Sequence, residues 1–140
     1  MKIRNTFILS LLLLALASVL GACGESSTTT ATPQEVRIVM GEMYVKSPIT
    51  TFKVGQPYKF VLVNEGKIPH EFTIAPTRKG GETEGDLDKK SLLDADQLQA
   101  GQTTIKEFTF KDPAPSGKLE FECSYPGHYD GGMHVPIVVE

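Results

Sequence analysis

Apolar positions in this chain fall into three regimes. Phe7 to Leu20 is an apolar run of 14 residues, broken only by Ser10 and Ser18 and preceded by Lys2 and Arg4. Residues 24–35 then contain no large apolar side chain. From Val36 onward, short apolar stretches alternate with Gly, Pro and Asn turns and show almost no helical periodicity. The pattern predicts strands at Val36–Met40, Met43–Lys46, Tyr58–Val63, Glu71–Ala75, Thr103–Phe110, Lys118–Cys123 and Met133–Val139. Seven or eight short strands imply an all-β sandwich or barrel over residues 36–140. A polar insertion, Thr77 to Ala100, interrupts the series. Within it, Asp88 to Leu98 is expected to form a short helix, because Leu92, Leu93 and Leu98 can share a side and Gly101 follows as a stop signal.

The first regime reads as an export signal over residues 1–22, since its apolar run is too short to span a bilayer comfortably. The junction Leu20-Gly21-Ala22-Cys23 resembles a bacterial lipobox, in which the cysteine is lipidated and becomes the mature N-terminus. Residues 23–35 are then a Ser/Thr-rich tether holding an extracytoplasmic domain to the membrane, periplasmic or on the outer face. Removing residues 1–22 takes away two of the 14 basic residues and none of the 17 acidic ones, leaving a net charge of about −5. That balance disfavours nucleic acid as a partner. The remaining length suits one core and a monomer.

Cysteine usage sharpens the picture. The chain has two, Cys23 at the signal junction and Cys123 near the far end. If Cys23 is acylated, Cys123 is a lone thiol in an oxidising compartment, where it must be buried or bound to metal. Three candidate ligands follow one another closely: Cys123, four residues, His128, four residues, Met133. Strand alternation adds a fourth. Cys123 shares a face with Leu119 and Phe121, Met133 with Val135 and Ile137, and His70 with Phe72 and Ile74. Alone, an inward histidine is more often a satisfied core residue, and a methionine before a strand is core filler. Together, one thiolate, two imidazoles and a thioether suit copper, with Met133 as a weak axial ligand. Structural zinc would usually replace the thioether with Cys or His, and haem attachment would need Cys-x-x-Cys-His, which is absent.

The segment Phe121-Glu-Cys-Ser-Tyr-Pro-Gly-His-Tyr-Asp-Gly-Gly-Met133, with Asn64-Glu-Gly-Lys-Ile-Pro-His-Glu-Phe72, resembles the cupredoxins, the blue copper proteins related to plastocyanin, azurin and auracyanin. The resemblance covers roughly Val36 to Glu140. It implies a Greek-key sandwich holding one type 1 copper per chain, with His70, Cys123 and His128 as equatorial ligands and Met133 axial. Glu71 stands where many members have Asn, which leaves Glu71 as a partner open to the Ser124 hydroxyl. The function implied is one-electron transfer, not enzymatic catalysis. A copper nitrite reductase needs a further three-histidine site, and His134 is the only spare histidine. Expected partners are redox proteins such as membrane respiratory or photosynthetic complexes, docking at an apolar patch of Tyr125, Pro126, Tyr129 and residues 133–136 around an exposed His128 ring edge. A copper delivery or storage lipoprotein is the alternative.

Overall fold

The computed structural model describes residues 31–80, 82 and 84–140. The signal segment 1–22, the proposed lipidation site Cys23 and most of the tether lie outside the described residues. Two sheets face each other. The first has the order β2-β1-β4-β7, from β1 (Gln34–Gly41), β2 (Tyr44–Lys46), β4 (Pro57–Asn64) and β7 (Thr103–Thr109). The second has the order β3-β9-β8-β5-β6, from β3 (Thr51–Phe52), β5 (His70–Pro76), β6 (Leu93–Leu98), β8 (Ala114–Glu122) and β9 (His134–Val139). The expected β-sandwich is therefore observed.

Alternation along the strands builds the core between the sheets. Val36, Ile38 and Met40 from β1 and Tyr58, Phe60 and Leu62 from β4 are buried against Phe72, Ile74 and Phe121 from the opposing sheet. Aromatic rings form its centre: Phe121 lies 5.2 Å from Phe72, 5.4 Å from Phe52 and 5.7 Å from Phe60, centroid to centroid. Phe72 and Phe121 each precede or follow a candidate ligand by two residues, so the aromatic cluster sets where His70 and Cys123 emerge at one end of the sandwich.

Two expectations are corrected. Asp88–Leu98 is not a helix: the helix is α1 (Glu84–Asp88), and Leu93–Leu98 is β6, an edge strand paired to β5. Leu92, Leu93 and Leu98 do not share a side: Leu92 is 49% exposed, whereas Leu98 is buried on β6, whose pairing to β5 shifts register between His70/Leu98 and Phe72/Ala95. Glu120 and Glu122, which alternation assigns to solvent, are also buried, at 1% and 0% exposure. Alternation puts them on the outer face of β8, but Arg78 covers that face and pairs with Glu122 at 3.1 Å.

Truncating Phe121 to Ala should cost about 3–5 kcal/mol. The check is chemical denaturation, where the midpoint should fall while the slope stays unchanged.

Candidate metal centre

Three strand ends converge at one end of the sandwich. His70 opens β5, Cys123 follows β8, and the loop from Ser124 to Met133 returns the chain to β9. The loop is closed by its own backbone: Cys123 N–H donates to Met133 O at 2.9 Å, and Met133 N–H to His128 O at 3.0 Å. Gly132 makes the return possible at a φ of 100°, a conformation that favours glycine. All four sequence-predicted residues are buried here: His70, Cys123 and Met133 at 0% exposure and His128 at 4%.

The donor atoms of His70, Cys123 and His128 all lie within 4.8 Å of one another. His70 Nδ1 is 3.1 Å from His128 Nδ1, and Cys123 Sγ is 3.4 Å from His128 Nδ1 and 3.9 Å from His70 Nδ1. A point equidistant from the corners of that triangle lies about 2.0 Å from each, a metal–ligand distance for first-row ions. The centre therefore fits one copper ion, and its mixture of one thiolate and two imidazoles suits copper better than harder ions.

Electrostatics favour a neutral, dry site. Burial pushes the His70 imidazole below its ordinary range, helped by nearby His128, and burial does the same to His128. Each neutral ring has one nitrogen lone pair to offer, and at the 3.1 Å contact between the two Nδ1 atoms the tautomer decides which of them holds a proton before metal binds. Burial pushes the Cys123 thiol up, opposed by backbone N–H groups of Glu71 and Tyr125. The Glu71 N–H sits 3.3 Å from Sγ. These amides await the thiolate that metal binding creates.

The framework around the ligands includes residues that sequence reasoning left without a role. Asn64, fully buried, donates through Nδ2 to Ile68 O at 2.8 Å and Leu98 O at 3.0 Å, while its Oδ1 accepts from Gly66 N–H at 2.8 Å. It thereby shapes the whole approach to His70. Its place at the end of an apolar strand before Glu-Gly was the available signal. The Ser124 hydroxyl pairs with that of Thr73 at 2.8 Å, tying β5 to the start of the ligand loop.

Tyr129 is drawn away from His128. Its hydroxyl donates to Glu120 at 2.8 Å, its ring stacks on His134 at 4.4 Å, and the Arg78 guanidinium lies 4.1 Å from the ring centre. Burial and the Glu120 carboxylate push the Tyr129 phenol up, so it stays a donor. His134 points outward, as alternation predicted, with Nδ1 3.2 Å from Glu120. The exposed ring edge expected of His128 is not observed, since that residue is only 4% exposed. Pro126 remains exposed, as do Met43 at 47% and Ile68 at 39%.

Comparison with solved structures decides the architecture. Reduced auracyanin from Roseiflexus castenholzii superposes with a TM-score of 0.59 over 79% of this chain and 98% of that one, at 23% identity. An azurin (Az-iso2) from Methylomonas sp. strain J gives 0.59 over 78% and 99%, at 16% identity. The chain has the cupredoxin fold. Among sequences, this cupredoxin domain is similar to copper-resistant cuproprotein CopI of Pseudomonas aeruginosa, 25% identical over 85% of this chain and 83% of the relative. CopI of Rubrivivax gelatinosus is 28% identical over 74% of this chain and 65% of its own length. No protein-family profile matches the sequence.

Two outcomes are expected of this centre. Below the raised pKa of Cys123, copper uptake must displace the thiol proton while both imidazoles are already neutral. Apparent affinity should then rise about tenfold per pH unit, with one proton released per copper in a pH-stat titration. Replacing Asn64 by Leu should cost about 3 kcal/mol of stability by orphaning its backbone partners. Amide hydrogen exchange should accelerate first at residues 66–70.

Proposed function

We propose that this protein is a membrane-anchored, extracytoplasmic blue copper carrier of single electrons. The observation that carries this reading is the buried His70–Cys123–His128 triangle, closed by a rigid sandwich on one side and a short hydrogen-bonded loop on the other. Bound copper supplies one-electron chemistry between Cu(I) and Cu(II). The chain supplies a cage that barely moves. His70 and Cys123 are held by strands whose neighbouring aromatics interlock, while His128 is held by backbone bonds at both ends of its loop. Met133, buried at the end of the ligand loop, would be the fourth ligand, and the Glu71 and Tyr125 amides would stabilise negative charge on the Cys123 sulfur. Lipidation at Cys23 and the tether of residues 23–35 confine diffusion to the membrane surface, where respiratory or photosynthetic complexes are the natural partners.

Exposed apolar residues flank the ligands along the chain, Ile68 two residues before His70 and Pro126 two before His128, and electrons would pass at this end during small, transient encounters. The one remaining histidine, His134, cannot by itself supply the three-histidine centre that a copper nitrite reductase needs.

A copper-handling role is the second reading, favoured by one observation, the similarity to proteins named for copper resistance. Reversible cycling separates the two. The domain without residues 1–22, titrated with Cu(II), should give an intense visible thiolate-to-copper band at one copper per chain and the narrow hyperfine splitting of a covalent copper–sulfur bond. Voltammetry should then show a reversible one-electron wave. A colourless complex, or reduction with loss of copper, would transfer the function to copper delivery or storage. Cys123→Ser should abolish the band. Met133→Leu should keep the colour and shift the potential. Pro126→Glu should slow exchange with a redox partner while leaving the copper spectrum unchanged.

A further inference from the structure

The metal centre contains one buried polar atom that the ligand geometry does not explain. His70 faces Cys123 and His128 through Nδ1, so its Nε2 points elsewhere, and that buried nitrogen has no hydrogen-bond partner among the described residues. An imidazole whose Nδ1 lone pair binds a metal carries its proton on Nε2. The identity of the group facing that proton then sets both the tautomer and the basicity of the ligand.

The Glu42 carboxylate, in the β1–β2 turn, borders the same backbone position, Gly66, without hydrogen-bonding to that nitrogen. Glu42 accepts hydrogen bonds through Oε1 from the backbone N–H groups of Lys67 and Ile68, which fix it against the segment leading to His70. A Cβ added to Gly66 would stand 2.8 Å from His70 Nε2 and 2.9 and 3.0 Å from the two Glu42 oxygens. The imidazole edge and the carboxylate therefore crowd the same backbone position, and only glycine leaves it clear. The interaction is reciprocal. Glu42 opposes the burial that depresses His70, while the Glu42 carboxyl is held low by the Lys67 amide first and also by His70.

The turn that carries Glu42 is itself wedged in place. Met43 holds a left-handed φ of 62°, a conformation usually left to Gly or Asn, and a Cβ on Gly131 would collide with its sulfur. One two-residue turn thus touches both the His70 approach and the loop that carries His128.

We propose that Glu42 is a positioning residue of the copper centre: its carboxylate draws the Nε2–H tautomer of His70, frees Nδ1 for the ion and favours the oxidised over the reduced state. This rests on the copper reading above. It assigns the site a carboxylate that acts through a histidine and never touches the metal.

The test uses the full chain in detergent, comparing Glu42→Gln and Glu42→Ala with wild type. Gln keeps an oxygen for the Lys67 and Ile68 amides but removes the charge, whereas Ala removes both. In the metal-free protein, 15N imidazole shifts should report Nε2–H for wild-type His70 and a mixed tautomer for Glu42→Gln. In the copper-loaded protein at low salt, Glu42→Gln should lower the Cu(II):Cu(I) ratio at fixed poise about threefold. That corresponds to a potential higher by about 28 mV, at 59 mV per tenfold for one electron. Because Glu42 is exposed, the difference should shrink as salt is added. Wild-type values for Glu42→Gln in either readout overturn the proposal, and a disturbance confined to Glu42→Ala would make Glu42 a loop clamp only. If the chain takes up no copper, the metal reading fails separately and the tautomer alone decides whether Glu42 positions His70.

Discussion

Everything at the functional end of this protein depends on holding two imidazoles and a thiol within bonding reach of one dry point. Desolvation opposes charge on all three: it depresses both histidines and raises Cys123. Left to themselves, such groups would separate or find water. They stay because each is fixed by structure that does not depend on the metal. His70 and Cys123 continue strands whose Phe72 and Phe121 rings are 5.2 Å apart in the core, and His128 is tied by backbone bonds to Tyr125 and Met133. A donor set preorganised in this way resists rearrangement when its occupant changes charge, which is what fast electron exchange requires.

The outer face of the five-stranded sheet contributes a second layer of restraint. Glu120 and Glu122 are buried beside the strand that delivers Cys123, and neither could remain there without partners. Arg78 bonds to both, through its backbone N–H to Glu120 and its guanidinium to Glu122, while Tyr129 and His134 complete the surroundings of Glu120. Because Tyr129 follows His128 directly, this network anchors the ligand loop from outside as the aromatic core anchors it from within. The polar segment after β5 is therefore part of the support of the centre.

Much of this was legible in the sequence. Two-residue alternation placed His70, Cys123 and Met133 on the inner face, and the burial of all three agrees. The β-sandwich followed from strand spacing and turn chemistry. What alternation could not convey was whether an outer face is wet: Glu120 and Glu122 occupy polar positions but are covered by Arg78, a contact that depends on how a distant segment folds back. Period counting failed at Leu92, Leu93 and Leu98, which lie on or beside an edge strand with an irregular register and not along one side of a helix. The reach of Asn64 to Leu98 and of Glu42 to Lys67, Ile68 and His70 was not legible, because those partners lie far along the chain; only the Asn64 bonds to Gly66 and Ile68 are local. The pairing of the Ser124 hydroxyl with Thr73 was not legible for a related reason: Glu71 and Thr73 share one face of β5, and sequence cannot say which of them lies nearer.

The chain is similar to copper-resistant cuproproteins and shares its fold with auracyanin and azurin. Rigidity is the property that separates a carrier from a courier, since a protein that hands copper on must open its ligands. The most direct test is X-ray absorption at the copper edge on the loaded protein in both oxidation states. The account predicts two nitrogen scatterers and one short sulfur, with the same shells before and after reduction. Loss of the sulfur shell, or a change in the number of ligands on reduction, would contradict it.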